Sequence, residues 1–284
     1  MGTTERSQRP FRRVLIANRG EIALRINRAC HELGLETVQV YSEADRDSLP
    51  VQLADHRVCI GPARSAHSYL NGQFILSAAK LFHAEAVHPG YGFLSENAAF
   101  AQSCEQEGIV FIGPSSDSIA MMGDKARARA VAEEAGVPTT PGSRGTVKDV
   151  VLARSIADSL GYPVILKAAA GGGGRGMREV HRSEDLVSQY ENAAREAKAA
   201  FGDDAIYVEK FLTRIRHIEI QILSDGDNVL HLGERDCSVQ RRNQKLLEEG
   251  PSPVLDPALR ERIVEAAVRL CRHAGYRSAG TIEC

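Results

Sequence analysis

Short apolar runs alternate with segments of helical periodicity over the first 120 residues. Residues 14–17 fit a buried parallel strand, and apolar positions from 22 to 33 recur at mostly helical spacing before Gly34, which suits a helix C-terminus. The pattern predicts further strands at 37–41, 57–60, 86–88 and 110–113, and helices near 72–82 and 96–107. Strands that alternate with helices at this spacing predict an α/β fold with a doubly wound parallel sheet.

The composition changes after residue 124. An Ala-rich helix predicted at 125–135 is followed by a loop rich in Pro, Gly, Thr and Ser at 137–147, which is typical of a domain boundary. The pattern then predicts a helix at 149–160, a strand at 163–168, a glycine-rich segment at 171–177, a helix at 183–200 and a strand at 205–211. We therefore expect a second domain in this part of the chain.

The segment 217–222 alternates strictly and is predicted to be a strand. Three isoleucines lie on one face, and the other face carries His217, Glu219 and Gln221. A polar face of this kind is typically a solvated face of a sheet. The pattern then predicts a hairpin turn at 225–226, a returning strand at 229–232, a helix at 257–273 and a strand that begins at 280.

Composition and charge restrict the class of protein. The 35 Lys and Arg residues against 37 Asp and Glu give a net charge of −2, and no long basic run indicates a nucleic-acid or membrane partner. Six scattered cysteines without a C-x-x-C pair favour reduced thiols. Residues 1–10 are polar and predict a disordered tail rather than a signal peptide, and no apolar run reaches eighteen residues. We therefore expect a cytoplasmic protein.

The glycine-rich segment is the strongest local signal for phosphate binding. Gly171, Gly173 and Gly176 satisfy G-x-G-x-x-G, but in a dinucleotide-binding fold this motif opens a helix. Residues 177–181 alternate like a strand instead, so the segment is predicted to join two strands. A glycine-rich flap between strands can close over a nucleotide with its backbone N–H groups facing the phosphates. The alternative is a surface connector, which has little reason to order four consecutive glycines.

Two lysines near this segment are candidate phosphate ligands. Lys167 lies on the apolar strand before the glycines, and Lys125 lies at the start of a helix. A buried ammonium needs an anionic partner, and the residues alone leave open whether it is polyphosphate or a structural carboxylate. Glu209 and Lys210, at the end of a strand, read alone as ordinary edge-strand charges.

The segment 234–245 is dense in charged and amide side chains and reads E-R-D-C-S-V-Q-R-R-N-Q-K. A solvated basic loop is the default interpretation of such a run. Guanidinium forks and a lysine beside carboxylates also suit the binding of planar, doubly charged oxyanions.

Eight segments taken together, in this order, closely resemble biotin carboxylase. They are I-A-N-R-G-E-I-A-L-R (16–25), H-P-G-Y-G-F-L-S-E-N (88–97), F-I-G-P (111–114), M-G-D-K (122–125), Y-P-V-I-L-K-A (162–168), G-G-G-G-R-G-M (171–177), H-I-E-I-Q (217–221) and the run at 234–245. The resemblance extends from about residue 11 to the last residue. It includes the biotin carboxylase portions of acyl-CoA, pyruvate and urea carboxylases.

The resemblance implies an ATP-grasp ligase. After the tail at 1–10, it implies a pre-ATP-grasp domain at 11–124 and an incomplete ATP-grasp domain at 125–284 with a mobile glycine-flap lid at about 137–212. In this family bicarbonate attacks the γ-phosphate of Mg-ATP to give carboxyphosphate, and the carboxyl group passes to biotin on a carrier protein. It further implies Mg²⁺ or Mn²⁺, a biotin carboxyl carrier protein or domain, a carboxyltransferase component, and a homodimer at full length.

The resemblance also implies roles for matching positions. ATP would be bound by Lys125 and Lys167 at the phosphates, Gly173 and Gly174 in the flap, Glu209, Lys210 and Leu212 on the adenine side, and His217, Gln240 and Asn243 along the nucleotide. Lys245 would meet bicarbonate as a catalytic residue, and Glu283 would be a magnesium ligand. Oxygen ligands that also meet phosphates suit this hard cation.

Three departures from the family pattern qualify this expectation. Asn243 replaces the usual histidine, Cys284 replaces phenylalanine, and the segment E-x-N-x-R-x-Q-V-E-H is absent. That segment supplies a second magnesium carboxylate, an arginine and the general base, so we expect residues 1–284 alone to be inactive. Another ATP-grasp carboxylate–amine or carbamoyl ligase is one alternative. A non-catalytic nucleotide-binding or assembly module is the other.

Overall fold

The structure is a computed structural model that describes residues 10–169, 176–241 and 244–284, with the backbone alone at 125, 126 and 201. The chain divides into two compact units. The first ends at Gly123 and the second begins at Asp124, with residues 276–280 counted in the first unit and 281–284 in the second. Within the described ranges, no helix combines the length and the apolar character needed to cross a bilayer.

The first unit contains a five-stranded parallel sheet. Its strands are β1 (Arg13–Ile16), β2 (Glu36–Tyr41), β3 (His56–Cys59), β4 (Ala86–His88) and β5 (Val110–Phe111), in the order β3-β2-β1-β4-β5. The helices are α1 (Gly20–Glu32), α2 (Leu49–Leu53), α3 (Gly72–Leu81), α4 (Ala98–Gln106) and α5 (Ser116–Gly123). This arrangement confirms the predicted doubly wound α/β fold.

Apolar side chains cover both faces of this sheet, which is why the last three residues of β1 are all buried and apolar. Leu15 packs in the cluster that contains residues of α3 and α4, whereas Val14 and Ile16 pack with residues of α1. Buried parallel strands of this kind read as continuous apolar runs. Gly34 has φ of 65°, so it provides the left-handed residue that follows α1, as its position in the sequence predicts.

Two short helices of the first unit were not predicted. The five residues of α2 include Pro50 near the N-terminus, and α5 has eight residues. Elements of one or two turns carry too few apolar positions to show a helical period, so the sequence pattern does not identify them.

The second unit begins with a three-stranded sheet flanked by helices. Its elements are α6 (Lys125–Glu134), α7 (Val150–Leu160), β6 (Val164–Ala168), β7 (Met177–Val180), α8 (Leu186–Phe201) and β8 (Ile206–Lys210). The strand order is β7-β6-β8, and both pairs are antiparallel. Because Lys167 pairs with Met177 across β6 and β7, the structure confirms that a strand, not a helix, follows the glycine-rich segment.

A four-stranded sheet and one long helix complete the chain. The strands are β9 (Ile218–Ser224), β10 (Val229–Arg241), β11 (Gln244–Glu249) and β12 (Ser278–Glu283), in the order β11-β10-β9-β12, and the helix is α9 (Pro257–His273). The isoleucines of β9 are buried, and α9 packs against β9 and β10. The alternation at 217–222 therefore predicts the strand correctly.

The default interpretation of 234–245 as a solvated loop is wrong. Residues 234–241 belong to β10, which is thirteen residues long, and β11 pairs with it in antiparallel orientation. The physical reason is that the buried charged side chains of this strand find hydrogen-bond partners in the segments that follow the sheet hairpin. Glu234 accepts a hydrogen bond of 2.7 Å from Arg260 of α9, and Asp236 accepts one of 3.1 Å from Ser252. Buried charges with such partners can be accommodated in a strand.

Candidate functional site

Lys167 and Glu209 form an ion pair between the neighbouring strands β6 and β8. Their side chains are 29% and 19% exposed, so both remain accessible from solvent. The sequence leaves open whether the partner of Lys167 is phosphate or a carboxylate, and the structure provides a carboxylate. The pair holds the ammonium group at the end of the sheet where the glycine-rich segment follows β6.

Lys210 and Leu212 differ in their surroundings, although they are close in sequence. The Nζ atom of Lys210 donates to the carbonyl oxygens of Gly161 at 2.8 Å and Tyr162 at 3.2 Å, which ties the end of β8 to the turn before β6. Leu212 is exposed after the strand. The structure therefore brings Lys167, Glu209 and Lys210 to the same small sheet.

Lys245 lies between two carboxylates. Its Nζ atom forms a short ion pair with Glu219 Oε1 and lies 3.2 Å from Glu283 Oε1. Lys245 extends from β11 over β10 to reach β9 and β12, so three strands supply this group. Glu219 is only 4% exposed, which contradicts the interpretation of its face as solvated. The buried carboxylate is stabilised there because cations contact both of its oxygens.

His217 and Gln240 lie beside this group. The Nε2 atom of Gln240 donates to His217 Nδ1 at 2.7 Å and to the carbonyl oxygen of Cys237 at 2.9 Å. His217 Nε2 lies 3.7 Å from Glu283 Oε2. The predicted residues His217, Gln240, Lys245 and Glu283 therefore converge at one end of the four-stranded sheet.

Arg235 is a member of this group that sequence reasoning did not single out. Its Nη2 atom donates to Glu219 Oε2 at 3.1 Å, and its Nη1 atom donates to Gln221 Oε1 at 3.0 Å. Glu219 was noted as part of a polar face but was not assigned to the site. The alternation of 217–222 could have identified it, because it places Glu219 on the same face as His217.

Three of these side chains offer atoms that could hold a cation. One ligand atom each from His217, Glu219 and Glu283 lies within 4.8 Å of the others. Mg²⁺ prefers carboxylate oxygens to imidazole nitrogen, so Glu283 and Glu219 fit this ion better than His217 does. Because Lys245 and Arg235 already contact Glu219, the more exposed Glu283 is the more available ligand.

Charged residues on the other side of β10 support the site. A hydrogen bond from the Ser238 hydroxyl lowers the pKa of Asp236, although burial opposes this effect. Burial would raise the pKa of Glu234, but hydrogen bonds from Arg260 and from the Ser252 N–H outweigh it and lower the pKa. Both groups are therefore held as carboxylates beneath the strand that carries Arg235.

Four of the predicted site positions cannot be placed in this geometry. Gly173, Gly174 and Asn243 lie outside the described residues. The backbone of Lys125 opens α6, and its side chain lies outside the description.

Comparisons with known proteins identify the family. Residues 10–119 match the model of the biotin carboxylase N-terminal domain, and residues 124–284 match that of the carbamoyl-phosphate synthase L chain ATP-binding domain. Biotin carboxylase 1 of Bacillus subtilis is 55% identical over 274 residues, covering 96% of this chain and 61% of that protein. A pyruvate carboxylase subunit of Methanothermobacter thermautotrophicus is 50% identical, covering 96% of this chain and 56% of that protein.

Solved structures show the same similarity. Biotin carboxylase of Campylobacter jejuni superposes with a TM-score of 0.92 at 51% identity, covering 96% of this chain and 61% of that one. The biotin carboxylase domain of Hydrogenobacter thermophilus 2-oxoglutarate carboxylase was solved as a dimer in complex with MgADP and bicarbonate. It superposes with a TM-score of 0.90 at 52% identity, covering 97% of this chain and 61% of that one. The chain thus spans about three fifths of the length of these relatives. With both of its domains matched in order, the chain belongs to the biotin carboxylase family of ATP-grasp proteins.

Proposed function

We propose that the protein carrying this chain catalyses the ATP-dependent carboxylation of biotin on a carrier protein, with bicarbonate as the carbon source and carboxyphosphate as the intermediate. The observation that carries this proposal is the position of Lys245 between Glu219 and Glu283, beside His217 and Gln240. The names of the relatives, which include biotin carboxylases and one component of a pyruvate carboxylase, support the same reaction.

Lys245 suits the binding of bicarbonate. An ammonium group has three N–H donors, and the two carboxylates engage two of them among the described residues. The remaining donor can point to an anion while Glu219 and Glu283 keep the ammonium group in place. A positioned cation of this kind stabilises negative charge on a reacting oxygen.

The nucleotide is proposed to bind between the small sheet and the end of the four-stranded sheet. Lys125 and Lys167 would contact the phosphates, and Gly173 and Gly174 would close over them. Glu209, Lys210 and Leu212 would line the adenine side, with His217, Gln240 and Asn243 along the nucleotide. In this proposal residues 137–212 form a lid, and the ion pair of Lys167 with Glu209 keeps the ammonium group oriented before ATP arrives.

Magnesium is proposed to be held by Glu283, with Glu219 nearby, because their oxygens are the donors that this ion prefers. When bound, Mg²⁺ neutralises charge on the phosphate oxygens of ATP. Glu283 also contacts Lys245, so one carboxylate would orient both the cation site and the bicarbonate-binding ammonium group.

The proposed partners follow from the reaction. Biotin would arrive on a carboxyl carrier protein or domain, and a carboxyltransferase component would use the product. The Hydrogenobacter domain is described as a dimer, which supports a homodimer of the full-length protein. We also propose a reducing, cytoplasmic location, on the basis of six cysteines scattered through the sequence.

A carbamoyl or carboxylate–amine ligase is the second candidate, favoured by the match of residues 124–284 to a carbamoyl-phosphate synthase domain. The test is the rate of phosphate release from ATP by the full-length protein with bicarbonate, with and without biotin, and with ammonia in its place. The proposal predicts bicarbonate-dependent release that biotin stimulates. Stimulation by ammonia and not by biotin would assign the protein to the second class.

A further inference from the structure

The guanidinium group of Arg235 connects the strands of the four-stranded sheet. Arg235 lies on β10, and it donates to Glu219 and Gln221 of β9 and, at 3.3 Å, to Thr281 Oγ1 of β12. Its Nε atom lies 3.7 Å from Glu248 Oε2 of β11. One planar group therefore contacts side chains from all three of the other strands, which a flexible ammonium group cannot do in a fixed geometry.

Arg235 and Lys245 share the carboxylate of Glu219. Lys245 engages Oε1 and Arg235 engages Oε2, so each oxygen has its own cationic partner. Because Glu219 is 4% exposed, water cannot replace a lost partner easily. A buried carboxylate oxygen without a partner is costly, so the carboxylate must find another donor if Arg235 is removed.

The nearest donor is Lys245. With Arg235 absent, the ammonium group can satisfy both oxygens of Glu219 by moving deeper towards β9. That movement takes it away from Glu283, whose Oε1 atom is 3.2 Å away, and carries its remaining donor away from the position proposed for the anionic substrate.

We propose that Arg235 is a positioning residue that keeps Lys245 available to bicarbonate by holding the second oxygen of Glu219. The inference rests on the proposed function of Lys245, but its geometric part concerns the described side chains alone. Arg235 acts through Glu219 and Lys245 rather than on the substrate. Its removal should therefore weaken the binding of bicarbonate and leave the binding of ATP almost unchanged.

Arg260 provides a matched control. It pairs at 2.7 Å with Glu234, which is as buried as Glu219 and is the neighbour of Arg235 on the same strand. Glu234 faces α9, so its ion pair does not touch Lys245. Arg260→Met removes the cationic partner of the buried Glu234, just as Arg235→Met removes a cationic partner of the buried Glu219. The Arg260 variant therefore shows how far the loss of such an ion pair in this sheet changes the kinetics without touching Lys245.

The kinetic test compares the full-length protein with its Arg235→Met, Arg235→Lys and Arg260→Met variants at a temperature where circular dichroism shows each to be folded. In Arg235→Met the KM for bicarbonate should rise about tenfold or more while the KM for ATP stays within about twofold. The KM of Arg235→Lys for bicarbonate should lie between the values of the unaltered protein and of Arg235→Met, because lysine restores the charge but not the planar guanidinium group. In a further variant, Arg235→Ala, added guanidinium at a non-denaturing concentration should partly restore the binding of bicarbonate. Equal effects of Arg235→Met and Arg260→Met on both KM values would overturn the proposal.

A crystal structure of Arg235→Met, or of Arg235→Lys if the methionine variant does not fold, gives a readout that does not depend on activity. Lys245 Nζ should lie within hydrogen-bond distance of both Glu219 oxygens and should have left Glu283. An unchanged position of Lys245 would refute the inference. If the unaltered full-length protein shows no bicarbonate-dependent ATP turnover, the proposed function fails and this structure still decides the positioning role.

Discussion

Glu234 and Arg235 are consecutive residues of β10 that form ion pairs on opposite faces of one sheet. Glu234 pairs with Arg260 of α9 on the helical side, and Arg235 pairs with Glu219 on the side that carries Lys245. The alternation of a strand places the two charges on opposite faces. The same strand is thus anchored to α9 on one side and carries the proposed positioning residue on the other.

The ion pair of Glu234 with Arg260 should contribute to the stability of the second unit. Arg260→Met leaves Glu234 buried without its cation, and breaking such a pair typically costs about 3–5 kcal/mol. Urea unfolding followed by a fluorescent or dichroic signal of this unit should show that loss. Replacing both residues, Glu234→Gln with Arg260→Met, should recover part of it, and a double variant as unstable as the single one would contradict this account.

Lys167 is expected to contribute to ATP turnover rather than to folding. Lys167→Ala should lower turnover of the full-length protein by roughly 10²–10³, the effect of removing one group that stabilises transition-state charge. Its partner Glu209 is partly exposed, so water can solvate the carboxylate that remains. Lys80→Ala, which breaks an exposed lysine–glutamate pair in the first unit, is the control. Normal turnover in Lys167→Ala would assign the residue to structure.

Asp45 provides a prediction for acid conditions. A hydrogen bond from Arg19 lowers the pKa of Asp45 to about 2, with smaller contributions from Ser42 and Tyr69. Because the folded pKa lies below the value of an unfolded aspartate, the stabilisation is present above about pH 4 and is lost as the pH falls towards 2. A ¹³C NMR titration of the carboxyl carbon should give this pKa, and Arg19→Gln should raise it. If Asp45 titrates near pH 4 both in the unaltered protein and in Arg19→Gln, the prediction is contradicted.

The six cysteines predict a graded reaction with thiol reagents. All six lie in the described part of the chain, and none is in a disulfide. Burial raises the pKa of Cys104 to about 12 and that of Cys271 to about 11, whereas Cys59 and Cys284 are exposed. Ellman's reagent should therefore modify the two exposed thiols before the four buried ones, and all six after denaturation. Fewer than six reactive thiols in denaturant would contradict a reducing compartment.

Local patterns predicted most of the fold because each element satisfies its own periodicity. The apolar run at 14–17 and the strict alternation at 217–222 each predicted a strand that the structure contains. The alternation after Met177 correctly separated the glycine-rich segment from a dinucleotide-binding turn. The helix predicted at about 257–273 has these bounds in the structure, where the Asp256 side chain accepts a hydrogen bond from the Leu259 N–H at its start.

The features that the sequence did not predict depend on contacts between distant residues. The burial of Glu219 requires Lys245 and Arg235, which lie 26 and 16 positions further along the chain. Residues 234–241 can form a strand because Arg260 and Ser252 donate hydrogen bonds to the buried carboxylates of Glu234 and Asp236, whereas a local pattern assigns such charges to a loop. A long-range ion pair leaves no periodic signal, so resemblance could suggest candidate site residues but not the contacts between them.

The measurement that tests the central claim most directly is the transfer of carbon-14 from bicarbonate to free biotin by the full-length protein with Mg-ATP. The account predicts fixation that requires both ATP and biotin and that falls by roughly 10² or more in Lys245→Gln, since that change removes the ammonium group proposed to bind bicarbonate. Arg241→Gln on the same hairpin is the control and should retain fixation. No fixation by the unaltered protein, or undiminished fixation by Lys245→Gln, would contradict the account.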